Sequence, residues 1–358
     1  MTSVGLGLSA LVLGGGGARG AYQAGVLRAI GRRHPDFDVP ILTGISAGAI
    51  NTTFLASHGA SLAQAAEELV ELWLSVTPER VYRVDPVSLL RNTMRWGRRL
   101  AFGGIGDTAE KARALVDTAP LREFLRGSLT ADAEGVITGI DRNITSGRLS
   151  AVALSATSYS TGQSVTWIHG RDVMPWQRAQ RRTVLTPLTV EHVMSSTALP
   201  LLFPAIKVGD EWYGDGGIRL TAPLSPALHL GAERILTIST RQARTRTEAD
   251  KSQIWGYPPP AQVLGILYNA VFLDLIDQDI HRLEVINKLI SNMSSAQRGG
   301  MRMVDILVIR PSRDLGRMAR DYEPRLPPTL RFLTRGWGTR RTASPDVLSL
   351  MMFQEDYL

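Results

Sequence analysis

Four consecutive glycines, Gly14 to Gly17, stand directly behind the mainly apolar run Leu8–Leu13. Few folds tolerate this. A short buried strand must end in a turn where the backbone takes unusual dihedrals or closely approaches another group. Gly15-x-Gly17-x-x-Gly20 also has the spacing of a dinucleotide-binding loop. It is equally a row of backbone N–H groups at a helix start, able to hold a developing negative charge. Both readings need a strand, a turn and a helix, here expected over 8–13 and 18–32.

The pattern then repeats. Val39–Leu42 is a second apolar run and feeds into "TGISAGAINTTFLASHG", helical in its later part. Leu62, Ala65, Ala66, Leu69, Leu72 and Trp73 recur at helical spacing over 62–74. Alternating strands and helices imply a parallel sheet with helices on its faces. The alternation breaks at about Thr77–Thr118, where Arg residues mix with Tyr82, Met94, Trp96 and Phe102, as in an insertion or cap. Further strands are expected over 151–155, 163–168, 234–239 and 305–309. Helices are expected over 190–199, 223–230 and 272–290. The domain reading is one α/β domain over 1–310, motif-bearing over about 11–239, and an Arg/Pro-rich extension over 311–358.

With 358 residues, 44% of them hydrophobic, the chain can bury a large core. It has no cysteine, which excludes disulfides, thiolate catalysis and Cys-based metal sites. Net charge is +7 and Lys occurs only at 111, 207, 251 and 288, so the positive charge is almost all Arg. Such charge usually makes a solvated face, and it also attracts anionic surfaces. No zinc-finger or RNP-type signature accompanies it, so no nucleic-acid partner is expected. No basic residue precedes Val4–Gly17 and no small-residue cleavage site follows it, which favours a buried strand over a signal peptide. No clean apolar stretch reaches transmembrane length. The expected location is cytoplasmic, with peripheral membrane contact.

Gly44-Ile45-Ser46-Ala47-Gly48 is the nucleophile-elbow pattern G-x-S-x-G, between an apolar run and a helical stretch. Such a turn pushes the serine Oγ out at the positive end of a helix, while Gly44 and Gly48 relieve crowding. A dinucleotide reading of the first loop needs an acid ending the second strand. Asp36 and Asp38 precede that strand, and the serine turn occupies its end. The two glycine-rich turns should therefore sit on one edge of the sheet, one offering a nucleophile and the other N–H donors. That suits acyl transfer better than cofactor binding. The serine needs a base. Of six histidines, only His229 and His281 come late enough for a Ser–Asp–His order, and both sit in helical patterns. Asp215 in "WYGDGG" is the better partner, an acid at a strand end with Gly216 and Gly217 behind it, although Asp-Gly is also a common turn.

Three blocks in order, "GGGARG" at 15–20, "GISAG" at 44–48 and "DGG" at 215–217, resemble the signatures of the patatin-like phospholipase family. "SSTALPLLFPAIKVGDEWYGDGG" leading into Asp215 adds to the likeness, which covers about Leu11 to Ser239. The resemblance implies a three-layer α/β/α sandwich with a mainly parallel sheet. It implies Ser46 as nucleophile with Asp215 as its only side-chain partner, and an oxyanion hole from the N–H groups of Gly15, Gly16 and Gly17. Arg19 would steady the loop or meet a phosphate headgroup. The expected reaction is phospholipase A- or lysophospholipase-like ester hydrolysis through an acyl-Ser46 intermediate, with no metal or cofactor. A neutral-lipid lipase or esterase, an acyltransferase and a catalytically idle lipid-binding scaffold are the alternatives. Two segments mix basic and aromatic residues as anionic-membrane contacts do: Tyr82–Phe102, and Arg313–Arg341 with eight Arg against three acids.

Overall fold

The computed structural model describes residues 8–83, 114, 116–250, 254, 256–294, 296–336, 338–341 and 346–358. Most of the 77–118 insertion, and of the Tyr82–Phe102 segment within it, lies outside the described residues.

Among the described residues ten strands form one sheet: β1 (Ser9–Leu13), β2 (Ile41–Gly44), β3 (Ala151–Ser158), β4 (Ser164–Gly170), β5 (Gln177–Arg178), β6 (Arg181–Leu185), β7 (Ile206–Val208), β8 (Glu211–Asp215), β9 (Arg234–Ile238) and β10 (Asp305–Ile309). The order is β10-β9-β1-β2-β3-β4-β6-β5, with β8 branching from β3 and carrying β7. The five strands from β10 to β3 are parallel throughout. Antiparallel pairs appear where β4 and β8 meet β3.

The apolar runs are continuous because the central strands are covered on both faces. Leu11 and Leu13 of β1 enter the larger core, with Ala24, Leu27, Leu55 and Leu69 from α1 (Gly20–Arg33), α2 (Ala47–Ser57) and α3 (Leu62–Leu74). Ala10 and Val12 point the other way, against Ala227, Ile276, Ile280 and Leu283. Helices therefore lie on both faces, giving the three-layer α/β/α sandwich with parallel centre. The helix expected over 62–74 forms over those residues, and the strand expected over 305–309 likewise.

Two differences from expectation concern β2 and the helices that cover the sheet. β2 begins at Ile41 rather than Val39. Pro40 has no N–H for the ladder, and its carbonyl accepts from the Ser150 N–H at 2.8 Å instead. No expectation covers the helix Pro260–Phe272, which precedes the helix expected over 272–290; the latter forms over Asp274–Ser291, and the two join at buried Leu273. The first covers the Gly216–Ile218 turn and the second covers the sheet through Ile276, Ile280 and Leu283. One straight helix would not cover both surfaces. Among the described residues no helix is long and apolar enough to cross a membrane.

Candidate active site

β1 and β2 pair in register, Leu13 opposite Gly44, so the two glycine-rich turns leave the same edge of the sheet side by side. Ser46 caps α2 with φ 56° and ψ −130°. This left-handed conformation costs a non-glycine residue on the order of 1–3 kcal/mol. The surroundings hold it there. The Ser46 N–H donates to Ser196 Oγ at 3.0 Å, and Ser196 Oγ donates to the Ser155 carbonyl at 2.7 Å. The Ser46 carbonyl accepts from the Ala49 N–H at 2.8 Å, starting α2. A Cβ at Gly48 would lie 2.6 Å from the Gly14 carbonyl oxygen, so α2 must approach the end of β1 backbone to backbone.

The glycine loop lies against this serine. A Cβ on Gly15 would stand 3.0 Å from Ser46 Cβ and 3.5 Å from Oγ. Its far side is tied down: Thr240 Oγ1 donates to the Gly15 carbonyl at 3.0 Å, and Gln23 Nε2 to the Gly14 carbonyl at 3.0 Å. Gln23 Oε1 accepts from Asn51 Nδ2 at 2.9 Å, and Asn51 Oδ1 accepts from Trp73 Nε1 at 2.7 Å. A buried chain of amides thus locks the loop to α1, α2 and α3. Gly17, at φ 57°, opens the short turn into α1. Arg19 is 4% exposed and turned away from the chamber described below. Its Nε donates to Ser349 Oγ at 2.7 Å and its guanidinium pairs with Asp346 at 2.6 Å. Of the two roles expected for it, this geometry fits bracing the loop.

Asp215 ends β8 and is fully buried. Its N–H donates to the Ala198 carbonyl at 2.9 Å, and its carbonyl accepts from Thr157 Oγ1 at 2.8 Å. Oδ1 accepts from the Gly217 N–H at 2.9 Å, while Oδ2 has no fully formed hydrogen bond. Burial pushes its pKa up to about 7, against the opposing pull of the facing Ser46 hydroxyl and the Gly217 N–H. The Ser46 hydroxyl therefore sits beside the carboxylate without closing an aligned bond in this state. Gly20, Gly44 and Gly216 each sit where a Cβ would strike a neighbour, Ala47, Gly48 and Ser155 respectively. Gly217 lies under the Phe272 ring.

No histidine hydrogen-bonds to Ser46 or Asp215. His192 is buried against Trp167, ring centroids 4.4 Å apart, and burial pushes its pKa down to about 4, so it is neutral. His229 stacks on Trp176, and burial lowers its pKa first, with Arg178 and Arg181 adding to the effect. Two residues the sequence did not single out, Tyr159 and Tyr268, face the acid. Burial first, and the Asp215 charge second, pushes both phenols up. Neither belongs to a local motif, since each arrives on a segment remote from the three blocks.

In front of Ser46 opens a largely apolar chamber of about 520 Å³, counting the space open to solvent. Gly17, Ser46 and Thr197 form its polar end, and Leu72, Trp73, Leu121, Phe124, Phe203 and Phe353 are among its walls. An apolar lining with a serine at its polar end suits an acyl group.

A serine on a strained strand-to-helix turn, a glycine loop packed against it and an apolar chamber before it follow the logic of acyl transfer on an α/β scaffold. The profile of patatin-like phospholipase matches residues 11–228, and the chain belongs to that family. The family is described as one of phospholipases. Among curated proteins none matches significantly. Of solved structures, VipD from Legionella pneumophila is similar at 13% identity and TM-score 0.34, over 98% of this chain and 67% of that one. ExoU from Pseudomonas aeruginosa, in complex with SpcU, is similar at 18% identity and TM-score 0.28, over 67% of this chain and 46% of that one. The chain spans under half the length of ExoU.

Proposed function

We propose that the chain is a serine acyl hydrolase that cleaves ester-linked fatty acids from phospholipids or lysophospholipids with a Ser46–Asp215 dyad. The observation that carries this reading is the fully buried Asp215 carboxylate, pushed up to about 7 and facing the Ser46 hydroxyl. A carboxylate of that basicity takes a hydroxyl proton at neutral pH far better than an exposed aspartate would. As Ser46 Oγ attacks the acyl carbonyl, Asp215 accepts its proton. The N–H groups of Gly15, Gly16 and Gly17 receive the oxyanion, aided by the positive end of α2. Collapse expels the alcohol, which takes the proton back from Asp215 and leaves acyl-Ser46. Water then attacks the acyl group, losing a proton to Asp215, and as the acyl–Oγ bond breaks Asp215 returns that proton to Ser46 Oγ and the fatty acid departs.

The lipid is met at a membrane surface from the cytoplasmic side. Support comes from the Pro260–Phe272 helix, which carries no charged residue and exposes Val263, Ile266 and Leu267 at 46%, 58% and 56%. An apolar stripe at helical spacing normally faces a core. Here the opposite side of the helix touches the site, through Phe272 on Gly217 and Tyr268 hydroxyl to the Pro200 carbonyl at 2.8 Å. In the Arg313–Arg341 segment Phe332 is exposed, while Arg325 and Arg335 pair with Asp356 and Glu323.

The test is fatty-acid release from defined phospholipid and lysophospholipid vesicles. Ser46→Ala and Asp215→Asn should each lower turnover by on the order of 10⁴-fold. Near-normal release by either variant refutes the dyad.

A further inference from the structure

Residues 346–358 lie far beyond the matched 11–228, yet they fold back onto the glycine loop. A Cβ on Gly17 would stand 2.9 Å from Leu350 Cα, so the loop and this segment touch backbone to backbone. Asp346 joins three elements. One carboxylate oxygen takes the buried Arg19 guanidinium at 2.6 Å, and the other accepts from Asn269 Nδ2 at 2.7 Å. The Met351 carbonyl accepts from the Tyr82 hydroxyl at 3.0 Å. Leu350, Met351, Met352 and Phe353 are all buried. A segment with charged, polar and apolar anchors at successive residues is a fixed part of the structure.

These anchors aim one side chain. Phe353 and Phe203 line the chamber that Ser46 opens into. Both rings rest on Tyr82, at centroid separations of 6.0 and 6.3 Å. Tyr82 is itself fully buried and held by Met351, two residues from Phe353. The Phe353 ring therefore has a fixed backing on the side away from the chamber's space.

We propose that Phe353 is a specificity-determining residue that sets the length of the acyl chain accepted in front of Ser46. The inference rests on Ser46 being the acyl acceptor. Removing the ring lengthens the chamber, and each methylene newly buried improves selectivity for the longer chain by about fourfold. Enlarging the ring shortens it.

The experiment compares kcat/KM for p-nitrophenyl butanoate, octanoate, dodecanoate and hexadecanoate in wild type, Phe353→Ala, Phe353→Leu and Phe353→Trp, each checked for folding by thermal melt. The dodecanoate-to-butanoate ratio should rise about tenfold or more in the alanine variant, rise less in the leucine variant and fall in the tryptophan variant. If the alanine variant does not fold, the leucine and tryptophan variants carry the comparison. A length profile unmoved in every folded variant overturns the inference. Ser46→Ala is assayed alongside. If it still hydrolyses the esters, the reading of Ser46 falls. If it is dead while the length profile stays fixed, only Phe353 loses its role. Dodecanoate binding to Ser46→Ala, with and without Phe353→Ala, reads the wall without turnover. A Kd unchanged by the second substitution also overturns the inference.

Discussion

Replacing Asp215 by Asn should abolish turnover and stabilise the fold, by an amount that grows with pH. The carboxyl group is fully buried and its pKa stands at about 7, with burial as the main cause. An aspartate in the unfolded chain titrates near about 3.9. Between those values the folded state holds a proton that the unfolded state has lost, so ionising Asp215 costs stability as pH rises. At about 1.4 kcal/mol per pH unit, the cost is about 1.5 kcal/mol at pH 5 and on the order of 4 kcal/mol at pH 8. Asn keeps an oxygen for the Gly217 N–H, seen here at 2.9 Å to Oδ1, and never ionises. The stability gap between variant and wild type should therefore widen by about 2–3 kcal/mol from pH 5 to pH 8. Each kcal/mol moves Tm by about 2 °C in a large domain, so the widening is about 5 °C. Thermal melts of both proteins at pH 5, 6, 7 and 8 measure it. A gap that is constant with pH, or that favours wild type at pH 8, would show that Asp215 is not a buried base held near neutrality.

The same pKa governs rate with the opposite preference. Log kcat/KM should climb with pH and level off above about 7, because the base must be ionised, and a profile flat from pH 5 to 8 contradicts this. The strain at Ser46, φ 56°, should be relieved by glycine but not by alanine. Ser46→Gly is then more stable than Ser46→Ala by on the order of 1 kcal/mol in chemical denaturation, and equal midpoints would argue against stored strain. Ile266→Asp with Leu267→Asp should lose most co-sedimentation with anionic phospholipid vesicles while keeping the wild-type melt. Undiminished binding removes the Pro260–Phe272 helix from the membrane face.

The parts legible in the sequence are those whose chemistry is local. β1 reads as an apolar run because four successive residues serve two cores, Leu11 and Leu13 one way and Ala10 and Val12 the other. The serine turn reads as G-x-S-x-G because Gly48 has no room for a side chain against β1. What stayed hidden depends on partners far along the chain. Arg19 meets Ser349 across 330 positions, and no spacing rule announces such a pair. The Gln23–Asn51–Trp73 relay joins three helices through side chains that look unremarkable one by one. The Pro260–Phe272 helix escaped because its apolar stripe faces outward and its end at Leu273 carries neither Gly nor Pro.

The most direct test of the account is intact-protein mass after treatment with a fluorophosphonate, comparing wild type with Ser46→Ala. The dyad predicts one adduct on wild type and none on the variant. No adduct on folded wild type, even with vesicles present, or an adduct that survives Ser46→Ala, would contradict Ser46 as the activated nucleophile.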